Sequence, residues 1–540
     1  MFNYKADKKV MKTLVILFAD SRSGHMFDSV FAGKSAFDRS LEWAESVRKI
    51  NDSETVVLAT SDIEKTVRNA TEAAAINAEV YSEEKWNVKK LLEHFVMHAR
   101  EKNCNACVFA WADQPFVDSG ITEALLRDHF EYKAEYTFAD GYPDGLCPEV
   151  LDAGTAGILL KLSEGVQSEA GERAVVRASI FDLIKTDINS FEIETVIADN
   201  DYRLFRMSFN CGTKAGLHSC QALFKSGIEN KSIEEISKSA ASSVSVLKTV
   251  PSYYNIQITD RINVPSIYHP VGLERTDGSR FMAFEDFKSL VMKISDFSES
   301  AVVSLSAWGE ATAHPDFVRM VSFILEQKGL TALVETDGLN VTEEMCFALK
   351  TACDKAVDRV NGGDDNGKLI WIVSLDAFTK EKYAEIHGGV DCFEKAVAGT
   401  ELLKKYFSES TYPQITRMNE NESELEAFWR FWNDKNRFKN PLIIVQKYNS
   451  WCGRLPDRKP ADLSPLERNP CWHIRRDMTV LADGTVCFCH CQSGINSTGN
   501  AFSESLEEIW ERLNGEVQNH MNKKYSELCG KCDEYYTFNF

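Results

Sequence analysis

From residue 12 to residue 448 one pattern recurs: a short apolar run, an amphipathic stretch, then another apolar run. The first runs are "TLVILFAD", "TVVLAT", "AEVYS" and "ACVFAWAD", separated by stretches such as "SAFDRSLEWAESVRKI" and "VKKLLEHFVMHARE". Apolar runs this short suit strands, and stretches of that period suit helices. Their alternation predicts an α/β fold, a parallel sheet with helices on both faces. A chain of 540 residues does not close around one core, because single domains rarely exceed about 250–300 residues. Residues 12–230 read as a doubly wound domain. Residues 231–252 read as a helical connection, carried by the polar stretch "KSIEEISKSAASSVSVLKTV". Residues 253–448 hold six strand candidates, from "YNIQIT" to "PLIIVQKY", and predict an open, partial (β/α)6 barrel with its chemistry at the carboxyl ends of the strands. Residues 449–540 change character, being rich in cysteine and aromatic residues and short of long periodic helices. A module that small builds little apolar core and commonly needs a metal.

The formal charge of −20 argues against non-specific binding to nucleic acid or to an anionic membrane. No apolar run reaches the roughly 18 residues of a membrane span. "KKVMKTLVILFA" has the lysines and apolar stretch of a signal peptide, but the run is short and meets "DSRSG" without a small-x-small cleavage site, so it reads as a buried first strand. The 15 cysteines, an odd total without a clear signal peptide, point to reduced thiols and a cytoplasmic chain. Eight of them are scattered outside the tail and mostly sit in apolar segments, as Cys346 and Cys353 do, and those read as small buried hydrophobes.

The exception is the tail. In "LADGTVCFCHCQ", Asp483-Gly484 between β-rich runs is a strong hairpin signal. On the returning strand Cys487, Cys489 and Cys491 would share one face. Cys471 precedes the hairpin, and Cys529 and Cys532 form a C-x-x-C beyond it. Four thiolates from such a set hold either a [4Fe–4S] cluster or zinc, and spacing does not separate the two. In the first domain, "ACVFAWAD" ends at Asp113, where a strand's carboxyl end would present a carboxylate to a divalent cation. A loop aspartate capping the following helix fits the same pattern.

Cys471, then Gly484 with Cys489 five residues on, then Cys529-x-x-Cys532, resembles the SPASM/twitch module of radical SAM proteins. The resemblance implies one auxiliary [4Fe–4S] cluster on Cys471, Cys489, Cys529 and Cys532, with Cys487 and Cys491 as neighbours able to replace a ligand. Cys452 has no counterpart in that motif. The middle block resembles the radical SAM barrel, whose first strand is followed by a C-x-x-x-C-x-x-C loop that binds the cluster cleaving S-adenosylmethionine. Here that loop is "TDRINVPSIYHP", and the three positions are Ile262, Ser266 and His269. Thr259, Asn263 and Tyr268 keep the surrounding frame. Trp308-Gly309-Glu310 matches the family's G-G-E segment with its first glycine changed, and "ETDGL" (335–339) and "SLDA" (374–377) match the ends of later strands. The resemblance implies a barrel that does not cleave S-adenosylmethionine, with Gly309, Glu310 and Tyr268 either a vestigial pocket for it or residues the fold requires. The first domain resembles nucleotidyltransferases. That implies a Mg2+ role for Asp113 and phosphate contacts from Lys34 and Arg22, although Met26 and Phe27 stand where a glycine-rich loop would be needed. The whole chain, to the ending "CDEYYTFNF", resembles the spiro-SPASM proteins of spirochaetes. The functional expectation is an iron–sulfur protein with a binding or accessory role toward a small molecule or a protein partner. The alternatives are a nucleotidyltransferase acting at the first domain and an atypical radical enzyme using His269.

Overall fold

A computed structural model describes residues 11–165, 168–228, 231–269, 278–356, 368–438, 440–462 and 464–536. The first ten residues and the last four of the ending "CDEYYTFNF" therefore lie outside the described residues. The chain divides into two compact units, 1–247 and 248–540.

The first unit is built on seven strands: β1 (Thr13–Ala19), β2 (Ser53–Thr60), β3 (Ala78–Glu83), β4 (Ala106–Trp111), β5 (Tyr136–Asp140), β6 (Glu149–Asp152) and β7 (Ile193–Ile197), in the order β3-β2-β1-β4-β6-β5-β7. Every residue of β1 and β4 is buried, which is why both read as unbroken apolar runs and not as alternating ones. β1 to β4 are parallel, as their rhythm implies. β6 is not. It runs antiparallel to both β4 and β5, so the sheet is mixed. Its four residues, Glu-Val-Leu-Asp, carry too little pattern to announce themselves. Helices cover both faces, Ala36–Ile50 packing with Ser119–Glu131 and Val88–Glu101 with Ala153–Glu164. The first begins at a full capping box, Ser35 with Asp38, which satisfies two helix donors that would otherwise be orphaned. The helix Ile233–Ala241 belongs to this unit.

The second unit carries β8 (Tyr253–Ile256), β9 (Ala301–Ser304), β10 (Leu330–Thr336), β11 (Leu369–Ser374), β12 (Thr411–Arg417) and β13 (Ile444–Lys447), parallel and in sequential order. The sheet then continues into the tail through β14 (Asp477–Val480), β15 (Thr485–Cys487) and β16 (Ser497–Asn500). β14 lies parallel to β8, and β15 folds back on β14 through Asp483-Gly484. Gly484 has φ +83°, and a Cβ there would stand 2.6 Å from the Phe502 ring, so both conformation and space demand glycine. The tail is thereby an extension of the barrel sheet with no separate core of its own. Lys248 reinforces the join by donating to the Trp510 carbonyl at 2.8 Å and to Asn514 at 2.9 Å. The shared core runs from Tyr254 and Phe287 through Trp371 to Trp510.

Candidate functional site

The tail's thiols converge. The sulfurs of Cys452, Cys491 and Cys532 all lie within 4.8 Å of one another. Cys489 is in hydrogen-bonding contact with Cys491, and burial raises the pKa of Cys471 and of Cys529, with the nearby Cys489 and Cys532 adding to it. Cys452 is pulled well below the usual thiol range because Cys491 and Cys532 turn their S–H groups toward it. Nitrogen donors surround the same sulfurs. Gln492 Nε2 reaches Cys529 Sγ at 3.3 Å, the Glu534 amide reaches Cys532 Sγ at 3.3 Å and Asn449 Nδ2 reaches Cys491 Sγ at 3.6 Å. Soft donors, burial and N–H groups aimed at sulfur fit an iron–sulfur cluster, whose potential such hydrogen bonds help set.

The triplet of the hairpin is not one strand face. β15 ends at Cys487, which stays buried in the sheet opposite Thr479. The chain then leaves the ladder at Cys489 and winds into the 3-10 turn His490–Gln492, which carries Cys491 to the thiol group. Cys452 is the member sequence reasoning left out. It follows β13, at the carboxyl end of the last barrel strand. Trp451, Cys452 and Gly453 all have positive φ, of 53°, 61° and 73°. Two consecutive non-glycine residues in that region store strain of the kind that collects at functional sites. Nothing in the residue string announces it.

The barrel-mouth residues are engaged with one another. Glu310 takes Thr336 Oγ1 at 2.7 Å, the Asp337 amide at 2.9 Å and the Thr312 amide at 3.2 Å, clamping the end of β9 to the end of β10. Burial and the neighbouring Asp337 raise its pKa. Gly309 sits against the chain after β8, where a Cβ would come within 1.9 Å of the Thr259 oxygen. Gly309→Ala is therefore expected to destabilise the second unit by about 3 kcal/mol, the upper range for overpacking, read as a fall in its urea unfolding midpoint. Tyr268 donates to Asp376 Oδ2 at 2.6 Å, and His387 Nδ1 pairs with the Pro265 carbonyl at 3.0 Å. Trp308, at φ +58°, packs its ring 4.7 Å from Trp451 and 6.2 Å from His269. Ile262 and Ser266 offer the mouth no sulfur. Behind this mouth lies a cavity of about 250 Å³, lined by inward residues of the strands, among them Tyr253, Glu335 and Gln414, and by His473, Asp477 and His490 from the tail.

In the first unit Asp113 is 1% exposed and faces a cation that the chain itself supplies. Arg177 pairs with both its oxygens, at 2.9 and 2.7 Å, and Ser23 Oγ donates at 2.8 Å. Asp118 is the residue that caps the following helix. Lys34 pairs with Glu42, and Arg22 is tied to Asp20 and to the Val175 carbonyl. The amides of the loop after β1 are spent internally. Gly24 and His25 donate to the carbonyls of Gly212 and Cys211, at 3.3 and 3.1 Å, and Met26 to that of Ser23 at 3.2 Å.

Residues 471–533 match the profile of SPASM, an iron–sulfur cluster-binding domain, so the tail is a module of that class. An uncharacterized protein of Treponema pallidum (strain Nichols) is 38% identical over 373 residues, covering 67% of this chain and 98% of the relative. The chain belongs to the same protein family. Among solved structures, a cytidylyltransferase from Leptospira borgpetersenii serovar Hardjo-bovis is 16% identical with a TM-score of 0.37, over 44% of this chain and 97% of its own. BtrN in complex with AdoMet and 2-DOIA is also 16% identical, with a TM-score of 0.34, over 54% of this chain and 100% of its own. Likenesses of that size speak to neither activity nor ligand. Among the described residues no helix is long and apolar enough to cross a membrane.

Proposed function

We propose that this chain is a spiro-SPASM protein in the sense of its sequence resemblance. It holds one [4Fe–4S] cluster in the tail, does not cleave S-adenosylmethionine, and serves as a binding or accessory protein for a compact polar molecule in the barrel cavity or for a protein partner. The observation that carries this reading is the segregation of sulfur. Six cysteines gather in the tail, while Ile262, Ser266 and His269 occupy the mouth of the barrel. Isoleucine has no donor atom, a hydroxyl is a poor ligand for these irons, and one imidazole does not make a three-ligand site. The proposed ligands are Cys471, Cys489, Cys529 and Cys532, all within the matched segment 471–533, with Cys452 and Cys491 lying against them. When bound, the cluster supplies a one-electron couple and a covalent staple for a module with little core of its own. The chain's own residues do the rest. Gln492, Asn449 and the Glu534 amide donate to the sulfurs, and Glu335, held by Ser374 at 2.9 Å and Gln414 at 3.0 Å, gives the cavity a polar floor. The nucleotidyltransferase alternative lacks such support, since Asp113 is taken by Arg177 and the loop amides are taken by backbone.

Anaerobic reconstitution followed by iron and sulfide analysis tests the reading. One [4Fe–4S] cluster per chain, about four iron and four sulfide, is expected, and incubation with S-adenosylmethionine and dithionite should yield neither methionine nor 5′-deoxyadenosine. Twice that iron content, or formation of either product, would overturn it. Zinc without iron would make the tail a structural knot.

A further inference from the structure

One wall of the barrel cavity has a chemistry that the cluster does not explain. His473 opens the short helix His473–Arg476, Asp477 begins β14, and His490 opens the 3-10 turn after Cys489. Each brings one ligand atom within 4.8 Å of the other two, and all three line the cavity. The parallel pairing of β14 with β8 fixes Asp477 opposite Tyr253, and the hairpin returns His490 to the same place. The rings of His473 and His490 meet edge to face with centroids 4.4 Å apart.

Two features give the group the character of a ligand site. His473 Nδ1 lies 2.6 Å from Asp477 Oδ2. That carboxylate also accepts from Arg476, so the proton of the short contact belongs on Nδ1. His473 Nε2 is buried and, among the described residues, without a hydrogen-bond partner, and in the neutral ring it carries the lone pair. An imidazole oriented by a carboxylate through one nitrogen, with the other nitrogen bare, is the arrangement that metal-binding histidines show. The second feature is the donor set itself. Two imidazoles and one carboxylate, opening on one side to a cavity, form the combination that takes a divalent first-row ion and leaves positions free for another ligand.

We propose that His473, Asp477 and His490 bind one divalent transition-metal ion on the wall of the cavity, separate from the thiol group, with ferrous iron or manganese as the class of ion and its open positions facing the lumen. His490 Nε2 stands 3.2 Å from Cys491 Sγ, so this ion would sit one residue away from the tail's sulfurs. Arg476 competes for Asp477, which keeps the affinity modest.

The test is a titration of the full, cluster-loaded chain with Mn2+, whose weak affinity for thiolates spares the cysteines, followed by electron paramagnetic resonance of free and bound ion. One bound Mn2+ per chain is expected. His473→Ala and the isosteric Asp477→Asn should each weaken binding by at least about tenfold, while iron and sulfide contents stay those of wild type. No bound Mn2+ in the wild-type chain at millimolar ion overturns the proposal, as does unchanged binding in Asp477→Asn with its iron intact. Failure here leaves the cluster reading standing, because iron and sulfide are counted in the same samples.

Discussion

Cys532→Ala should abolish the iron content of the reconstituted protein. Cys532 is the one cysteine shared by both ways of grouping the tail's sulfurs: the C-x-x-C spacing that pairs it with Cys529, and the packed trio it makes with Cys452 and Cys491. In either grouping, removing this one takes away a ligand. The alanine also leaves the Glu534 amide, now 3.3 Å from the sulfur, without its acceptor. Iron and sulfide should fall from about four each per chain to near zero, with loss of the broad charge-transfer absorbance of the cluster. Cys452→Ala divides the two groupings. It lies outside the matched segment 471–533, and its iron content is expected to stay at the wild-type value. Iron lost from Cys452→Ala would place that residue among the ligands and displace one of the four proposed here. The fold should outlive the cluster in either variant, because β14 is held by β8 and Lys248 by the Trp510 carbonyl. Circular dichroism of Cys532→Ala is expected to keep the barrel's signal. Its collapse would mean that the metal, and not the sheet, secures the tail.

The legible part of this molecule was the part with long periodic signals. Ten short runs marked β1 to β4 and β8 to β13, most plainly at β1 and β4, whose residues are all buried, because a strand buried on both faces has no freedom to be anything but apolar. The Asp483-Gly484 turn was legible for a different reason, since few residues tolerate its φ. β6 was not, because four residues hold no period, and its antiparallel course depends on which neighbours are free to pair. The site shows the same division. Cysteines spaced by a motif could be read, but Cys452 reaches the group only through a loop of three positive-φ residues, a tertiary arrangement that no local propensity encodes. The roles of Gly309 and Glu310 were left open between a ligand pocket and the fold, and both have contacts within the fold: a Cβ at Gly309 would meet the Thr259 oxygen, and the Glu310 carboxylate accepts from Thr336, Asp337 and Thr312. The cavity wall of His473, Asp477 and His490 was invisible because its members are ordinary residues until the hairpin closes.

Arg177→Ala is expected to destabilise the first unit by about 3 kcal/mol, at the low end for breaking a buried ion pair, because the Arg177 side chain keeps 30% of its exposure while Asp113 keeps 1%. The loss comes mostly from stranding Asp113, a carboxylate then supported, among the described side chains, by Ser23, and in smaller part from the guanidinium's contact over the Trp111 ring at 4.7 Å. The measurement is the urea unfolding midpoint of the first unit's transition. A second readout separates a structural ion pair from a disused metal site. In the wild-type chain the guanidinium fills the place a cation would take, so millimolar Mg2+ should leave the midpoint unmoved, and a nucleoside triphosphate with Mg2+ should yield no pyrophosphate. In Arg177→Ala the carboxylate regains its need for a cation, and Mg2+ should recover part of the lost stability by binding only the folded state. Mg2+ stabilisation already present in the wild-type chain, or pyrophosphate release abolished by Asp113→Ala, would reverse the assignment: Arg177 would then be a side chain that yields to the metal, and the first unit a working transferase whose loop amides open when substrate arrives.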